Sequence, residues 1–242
     1  MISTFSAPKI LLGLTLAATT SAAAASAAPI EQPPEPFTAT YQVLRDGQSI
    51  GEATITLTAK GGGHYEYANQ TRGTAGLAAM LGVSSDETTR FRWRANAPET
   101  VTYDYRMDSA FKNKHRHLQV DETDHQVTVN EGKEPIRYPS APGMVDRNTM
   151  PLALGLALST GARSVTLPVG VKQRVEQRKY EVKGTESITV PAGEFKAQRI
   201  VRTDQNKPFD AWYVPQKYPL PIKISQGDGG DLTLQLVSFR RP

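Results

Sequence analysis

From Phe37 onward, apolar and polar residues alternate. Phe37, Ala39, Tyr41 and Val43 are interleaved with Thr38, Thr40 and Gln42, Asp46-Gly47 interrupts, and Ile50, Ala53, Ile55 and Leu57 resume the pattern. Successive side chains of a strand point to opposite faces, so the segment predicts a β-hairpin with one apolar face, and Gly51 marks a candidate bulge. Gly61-Gly62-Gly63 turns the chain into residues 64–71, where Tyr65 and Tyr67 share a face. Further strands are predicted over residues 88–94, 101–107, 112–120, 126–130 and 137–138, and then over 165–169, 173–182, 186–190, 196–203, 210–214, 221–225 and 232–238. About a dozen short strands separated by turn residues predict an all-β protein, an antiparallel meander, sandwich or barrel.

Two segments leave the period of two. Residues 74–83 (Thr-Ala-Gly-Leu-Ala-Ala-Met-Leu-Gly-Val) are small and apolar, and residues 148–159 carry Asn148-Thr149, Pro151 and four alternate leucines before Gly161. The second predicts a short helix, capped by Asn148-Thr149, with proline in its first turn and glycine after its end. The alternate leucines also fit a strand. At about a dozen residues it is too short to span a bilayer.

The first 28 residues have a different character. Lys9, an apolar stretch from Ile10 to Leu16 and an alanine run to Ala28 follow the order of a secretory signal peptide, cleaved within the run at Ala25 or Ala27. The expected location is therefore the periplasm. Pro29 to Pro36 hold four prolines and predict an extended linker, leaving residues 37–242 as one β domain. The chain has no cysteine, which removes disulfides, thiolate metal sites and a lipid-acceptor residue, so the core must hold by packing alone. With 28 basic and 24 acidic side chains, its charge is too near balance to suggest a nucleic-acid partner.

Several motifs together resemble a known family. They are Phe37-x-Ala39-x-Tyr41, Ile50-Gly51-x-Ala53, Pro98 followed by Tyr103-x-Tyr105, Val190-Pro191-Ala192-Gly193-Glu194-Phe195, Trp212-Tyr213-Val214-Pro215, and Leu220-Pro221-Ile222-Lys223-Ile224. On these the chain resembles the exported bacterial family catalogued as domain of unknown function 3108, over nearly all of residues 37–242. The resemblance carries no activity. It implies a curved antiparallel meander forming a flattened or partly open β-barrel with one or two short helical segments, loosely similar to periplasmic lipoprotein carriers and capsule-export proteins. Residues 74–83 and the helix after Asp146 would then line or cover the concave face.

The candidate chemistry is sparse. Arg90, Arg92 and Arg94 alternate with Phe91 and Trp93, so a strand there carries three guanidiniums on one face, a row suited to phosphate, carboxylate or anionic lipid headgroups. The bland alternative is a solvated outer face with carboxylates opposite. Trp212 and Tyr213 are amphipathic groups that fit either a binding face or a core. Leu77, Met80 and Leu81, with Val83, Met144, Met150 and the helix leucines, are candidates to line a cavity for acyl chains, or else to plug the barrel. His115 and His117 share a strand face, but two ligands do not make a closed metal site, so no metal or cofactor is assigned. Ser84-Ser85-Asp86, Asp104 and Asp108 lack the spacing of a known catalytic motif, and no catalytic residue is assigned. The leading expectation is a non-enzymatic periplasmic binder of a lipid, an anionic glycan or an envelope protein. An envelope-polymer hydrolase assembled across strands and a structural interaction module are the alternatives.

Overall fold

Strand β1 (Phe37–Arg45) lies at the centre of the fold, because it pairs on one side with β2 (Gln48–Gly61) and on the other with the last strand, β15 (Leu232–Arg240). The structure, a computed structural model, describes residues 33–205, 208–227 and 232–242. The expected signal peptide, residues 1–28, and the first part of the expected linker lie outside the described residues. From β2 the chain steps outward strand by strand through β3 (His64–Gly73), β4 (Ser84–Arg94), β5 (Ala97–Asp108), β6 (Lys114–Asp121), β7 (Gln126–Asn130) and β8 (Ile136–Pro139). It then crosses to the opposite edge at β9 (Val145–Asp146) and walks back through β10 (Ser164–Gly170), β11 (Val175–Val190), β12 (Gly193–Arg202), β13 (Phe209–Tyr213) and β14 (Lys223–Gln226) to β15. The result is one sheet of 15 strands, antiparallel throughout except for the pair β9 and β10.

That topology forces the sheet to curl. Laid flat, 15 strands would be about 65 Å wide at the usual spacing between neighbours. Yet the two edges are joined by residues 140–144 alone, a link that reaches at most about 20 Å. The sheet therefore bends into a flattened, partly open barrel, whose seam is made by scattered contacts. Met144 accepts a hydrogen bond from the backbone of Thr100 at 2.9 Å. The Tyr138 hydroxyl donates to the carbonyl of Val171, and Arg116 and Lys172 share Glu131.

The interior is plugged by helix α2 (Met150–Ser159). In a helix, leucines two residues apart point in nearly opposite directions, so the alternation that also fits a strand here gives a helix apolar on every side, and such a helix must be buried. Leu152 and Leu156 pack with Phe37, Tyr41, Ile55 and Leu236, while Leu154 and Leu158 pack with Val169, Tyr180, Ile200 and Tyr213. The barrel is filled at this level.

The expected cap of α2 is corrected. Neither Asn148 nor Thr149 caps the helix with its side chain. Asp146 supplies the acceptor instead, taking hydrogen bonds from the backbone N–H groups of Asn148 at 2.8 Å and Thr149 at 3.2 Å. The short helix within residues 74–83, α1 (Gly76–Met80), joins β3 to β4 outside the sheet, so it does not line the concave face. The expected strands 173–182 and 186–190 form one long strand, β11, with a register shift between Val182 and Gly184. Opposite Val43 and Leu44 the β2 register skips Ile50, which places the bulge beside Gly51. There a Cβ would stand 2.3 Å from the carbonyl oxygen of Arg72.

Candidate functional site

Below the plug, on the side of the α2 N-terminus, the barrel is hollow. The cavity is about 520 Å³, within the usual size range of small-molecule sites. Its wall follows the strand order. The middle of the wall, from β2 through β1, β15, β14 and β13, is apolar but for Gln226 of β14: Ile55, Tyr41, Val43, Leu232, Leu234, Ile224 and Phe209. On one flank β3 and β4 contribute Asn69, Thr71, Ser85 and Glu87, and on the other β11 and β12 contribute Arg178, Tyr180 and Arg202. Asn148, Met150, Pro151 and Arg147, from the entry to α2, form the floor and remaining side.

Glu87 and Arg147 of this lining hold one another in place. Arg147 binds Glu87 through two parallel hydrogen bonds of 2.9 Å, and the Tyr103 hydroxyl donates to the same carboxylate at 2.6 Å. Burial disfavours the Arg147 charge, but its bonds to Glu87 outweigh this and hold the guanidinium protonated. The guanidinium also lies 4.5 Å from the centre of the Tyr105 ring.

Arg178 and Arg202 are both largely buried and share Glu176, at 3.2 and 3.6 Å, and Arg202 also grips Asp204 at 2.9 and 2.7 Å. Three guanidiniums therefore reach the cavity wall beside one carboxylate, Glu87. Glu176 and Asp204, the carboxylate partners of Arg178 and Arg202, do not line the cavity themselves, although Glu176 shares the strand face of Arg178 and Tyr180. Two buried polar atoms of the lining have no hydrogen-bond partner, the Tyr180 hydroxyl and the Asn148 side-chain carbonyl oxygen. Burial raises the Tyr180 pKa against the lowering influence of Arg178 and Arg202, which keeps the hydroxyl protonated as a donor.

The pair Arg202–Asp204 gives the fold an acid sensitivity. Its hydrogen bonds, chiefly those from Arg202, lower the Asp204 pKa from 3.8 to about 2. A carboxylate whose pKa falls on folding stabilises the native state above its unfolded pKa and loses that contribution as the pH drops through the folded value. Asp204→Asn is therefore expected to flatten the fall in melting temperature between pH 3.8 and about 2. Wild type and variant melting in parallel across that window would refute the assignment.

The floor is anchored by Asp146, fully buried at the end of β9. Besides the two backbone donors, it accepts the hydroxyls of Thr89 at 3.0 Å, Thr100 at 2.8 Å and Thr149 at 3.1 Å. Desolvation raises its pKa, and the bonds from Thr100, Thr89 and the backbone of Thr149 and Asn148 oppose the rise.

The expected site residues are not gathered at this cavity. Arg90, Arg92 and Arg94 lie on the outer face of β4 among carboxylates. Arg92 forks onto Glu99 at 3.0 Å and also binds Glu122, Arg94 lies 3.7 Å from Glu99, and Arg90 reaches Glu66 at 3.4 Å. The row is thus a salt-bridged outer surface. Phe91, on the opposite face, is buried and stacks on Tyr65.

Trp212 and Tyr213 point to opposite sides of β13. The Trp212 indole donates to Glu186 at 3.0 Å, under Lys223, while the Tyr213 hydroxyl donates to the carbonyl of Pro151 and steadies the start of α2. Leu77 and Met80 are exposed on α1, with Leu81 just after it, so the expectation that they line an interior cavity is corrected. No residue of α1 is buried, and the connection lies at the β3–β4 end of the sheet. Of the apolar candidates, Met150 reaches the cavity and Met144 packs at the seam.

His117 pairs with Asp104 at 2.7 Å, Asp86 with Arg72 and Asp108 with Arg106. No group of three or more His, Asp or Glu side chains is placed to hold a metal among the described residues. The residues missed by sequence reasoning are Glu87, Arg147, Asn148, Arg178, Tyr180 and Arg202. One signal was available: Glu176, Arg178, Tyr180 and Val182 share a face, which puts charge on the same side as a tyrosine suited to a core.

A barrel-like meander with a helical plug and a walled cavity at one end is the class of protein these features define. The chain belongs to the family described as protein of unknown function DUF3108, whose model matches residues 36–237. No curated protein matches it in sequence. Among solved structures it is similar to a β-barrel-like protein of domain of unknown function DUF1849 from Brucella abortus, with a TM-score of 0.51 and 12% identity. The likeness covers 86% of this chain and 98% of that one. At that identity the likeness is one of fold.

Proposed function

We propose that the protein is a non-enzymatic periplasmic binder of an anionic amphiphile of the cell envelope, held in the cavity at the open end of the barrel. The observation that carries this reading is the composition of the wall, an apolar band flanked on one side by Arg178 and Arg202. An acyl or isoprenoid tail fits the band, and a phosphate or carboxylate head fits the guanidiniums, with the unpartnered Tyr180 hydroxyl as a further donor. The leader read from residues 1–28 supports the location.

Dodecyl phosphate and dodecyl maltoside, titrated below their micelle thresholds, test the reading. The phosphate is expected to bind and the uncharged maltoside to bind more weakly. The double variant Arg178→Ala/Arg202→Ala is expected to lose about tenfold or more in affinity for the phosphate, since each charge-assisted hydrogen bond contributes roughly 1.5–3 kcal/mol. Arg178→Lys, which keeps the charge and loses the fork, falls between. A wild-type protein that binds neither amphiphile, or a double variant that binds as wild type does while still folded, defeats the proposal.

A further inference from the structure

The cavity and α1 lie at the same end of the barrel. Thr71 and Ser85, on the cavity wall, are near the end of β3 and the start of β4, and α1 is the connection between those strands. On this connection Leu77 and Met80 are 64% and 74% exposed, and Phe111, on the turn between β5 and β6, is 85% exposed. The two segments are tied together, because the backbone N–H of Ala110 donates to the carbonyl of Leu81 at 2.9 Å. Three large exposed apolar side chains thus lie at one rim, on two connections joined by a backbone hydrogen bond. No interior contact requires them there.

Beside Phe111 the unpaired charge is positive. Arg72 and Arg106 are neutralised by Asp86 and Asp108, but Lys112 and Lys114, next to Phe111, have no carboxylate within ion-pair distance among the described residues. We infer that this rim is a docking surface for an anionic lipid bilayer, with Leu77, Met80 and Phe111 entering the headgroup boundary and Lys112 and Lys114 meeting lipid phosphates. Apolar side chains beside unpaired lysines are the combination that binds peripheral proteins to anionic membranes. A patch three side chains wide is far smaller than the roughly 800 Å² per partner of a stable protein interface, so a second copy is a poorer fit. Docked in this way, the barrel would bring its open end to the leaflet. This inference stands on different residues from the cavity reading.

Flotation with vesicles tests it. Wild type is expected to float with vesicles of phosphatidylcholine mixed with phosphatidylglycerol, to be released by salt, and to float poorly with phosphatidylcholine alone. Leu77→Ser/Met80→Ser/Phe111→Ser is expected to lower the bound fraction about tenfold or more, with an unchanged melting temperature because the side chains are exposed. Lys112→Glu/Lys114→Glu is expected to abolish the preference for the anionic vesicles. Both variants should bind soluble dodecyl phosphate as wild type does. If dodecyl phosphate fails to bind while flotation persists, the cavity reading falls and the docking surface stands. No flotation of wild type, equal flotation of the triple serine variant, or a self-association that this variant removes would overturn the docking surface.

Discussion

Replacing Asp146 by alanine is expected to cost about 3–5 kcal/mol, enough to unfold a protein of ordinary stability or bring it close to unfolding. Five donors converge on this buried carboxylate, two from the backbone that opens α2 and three from the hydroxyls of Thr89, Thr100 and Thr149. Alanine would strand them where water does not reach. Asp146→Asn keeps one carbonyl oxygen and can donate to hydroxyls, so it should cost clearly less. Urea denaturation of the three proteins gives the comparison, and an alanine variant within about 1 kcal/mol of wild type would refute the role. The pH dependence has a definite sign. Because burial raises the Asp146 pKa in the folded state, the neutral form is favoured there, and the residue contributes most below its unfolded value of 3.8. The stability advantage of wild type over Asp146→Asn should therefore shrink as the pH rises from 3.8.

Gly155→Ala is expected to destabilise the protein, although the same exchange inside an exposed helix stabilises it by about 1 kcal/mol. Gly155 is in the middle of α2, where a Cβ would stand 2.0 Å from the carbonyl oxygen of Pro219 and 3.1 Å from the Tyr213 ring. The nearer obstacle is backbone, which cannot rotate away. The helix would have to shift, and Leu152, Leu154, Leu156 and Leu158 would leave their packing on both sides together. Overpacking of this kind costs about 1–3 kcal/mol, occasionally more. An alanine variant that melts at or above the wild-type temperature would show that the plug is looser than the geometry requires.

The fold was largely legible because strand periodicity is local. Phe37, Ala39, Tyr41 and Val43 are buried on one face as their alternation predicts, and residues 126–130 form a strand with those bounds. The plug was half legible. Its leucines announce burial, but a period of two describes both a strand and a helix apolar all round, and only the surrounding sheet decides. The cap was misread because Asn148-Thr149 is a good local signal, while Asp146 acts through threonines of β4 and β5, a tertiary arrangement.

The site was the least legible part. Arg90, Arg92 and Arg94 stand out because they are adjacent in sequence, yet their carboxylates come from β3, β5 and the turn after β6. The cavity arginines are scattered, one before α2 and the others on β11 and β12, and they meet only because the sheet curls. Composition cannot report a meeting of that kind.

The pairing of β1 with β15 also governs how the protein is made. The first strand to emerge waits for the last, with nearly two hundred residues between them, so the centre of the sheet is the part completed latest. Until then β1 presents an unpaired backbone edge backed by Phe37, Tyr41 and Val43, the kind of surface that recruits stray strands. Slow assembly and a need for protection during synthesis follow from a topology that joins its two ends in the middle.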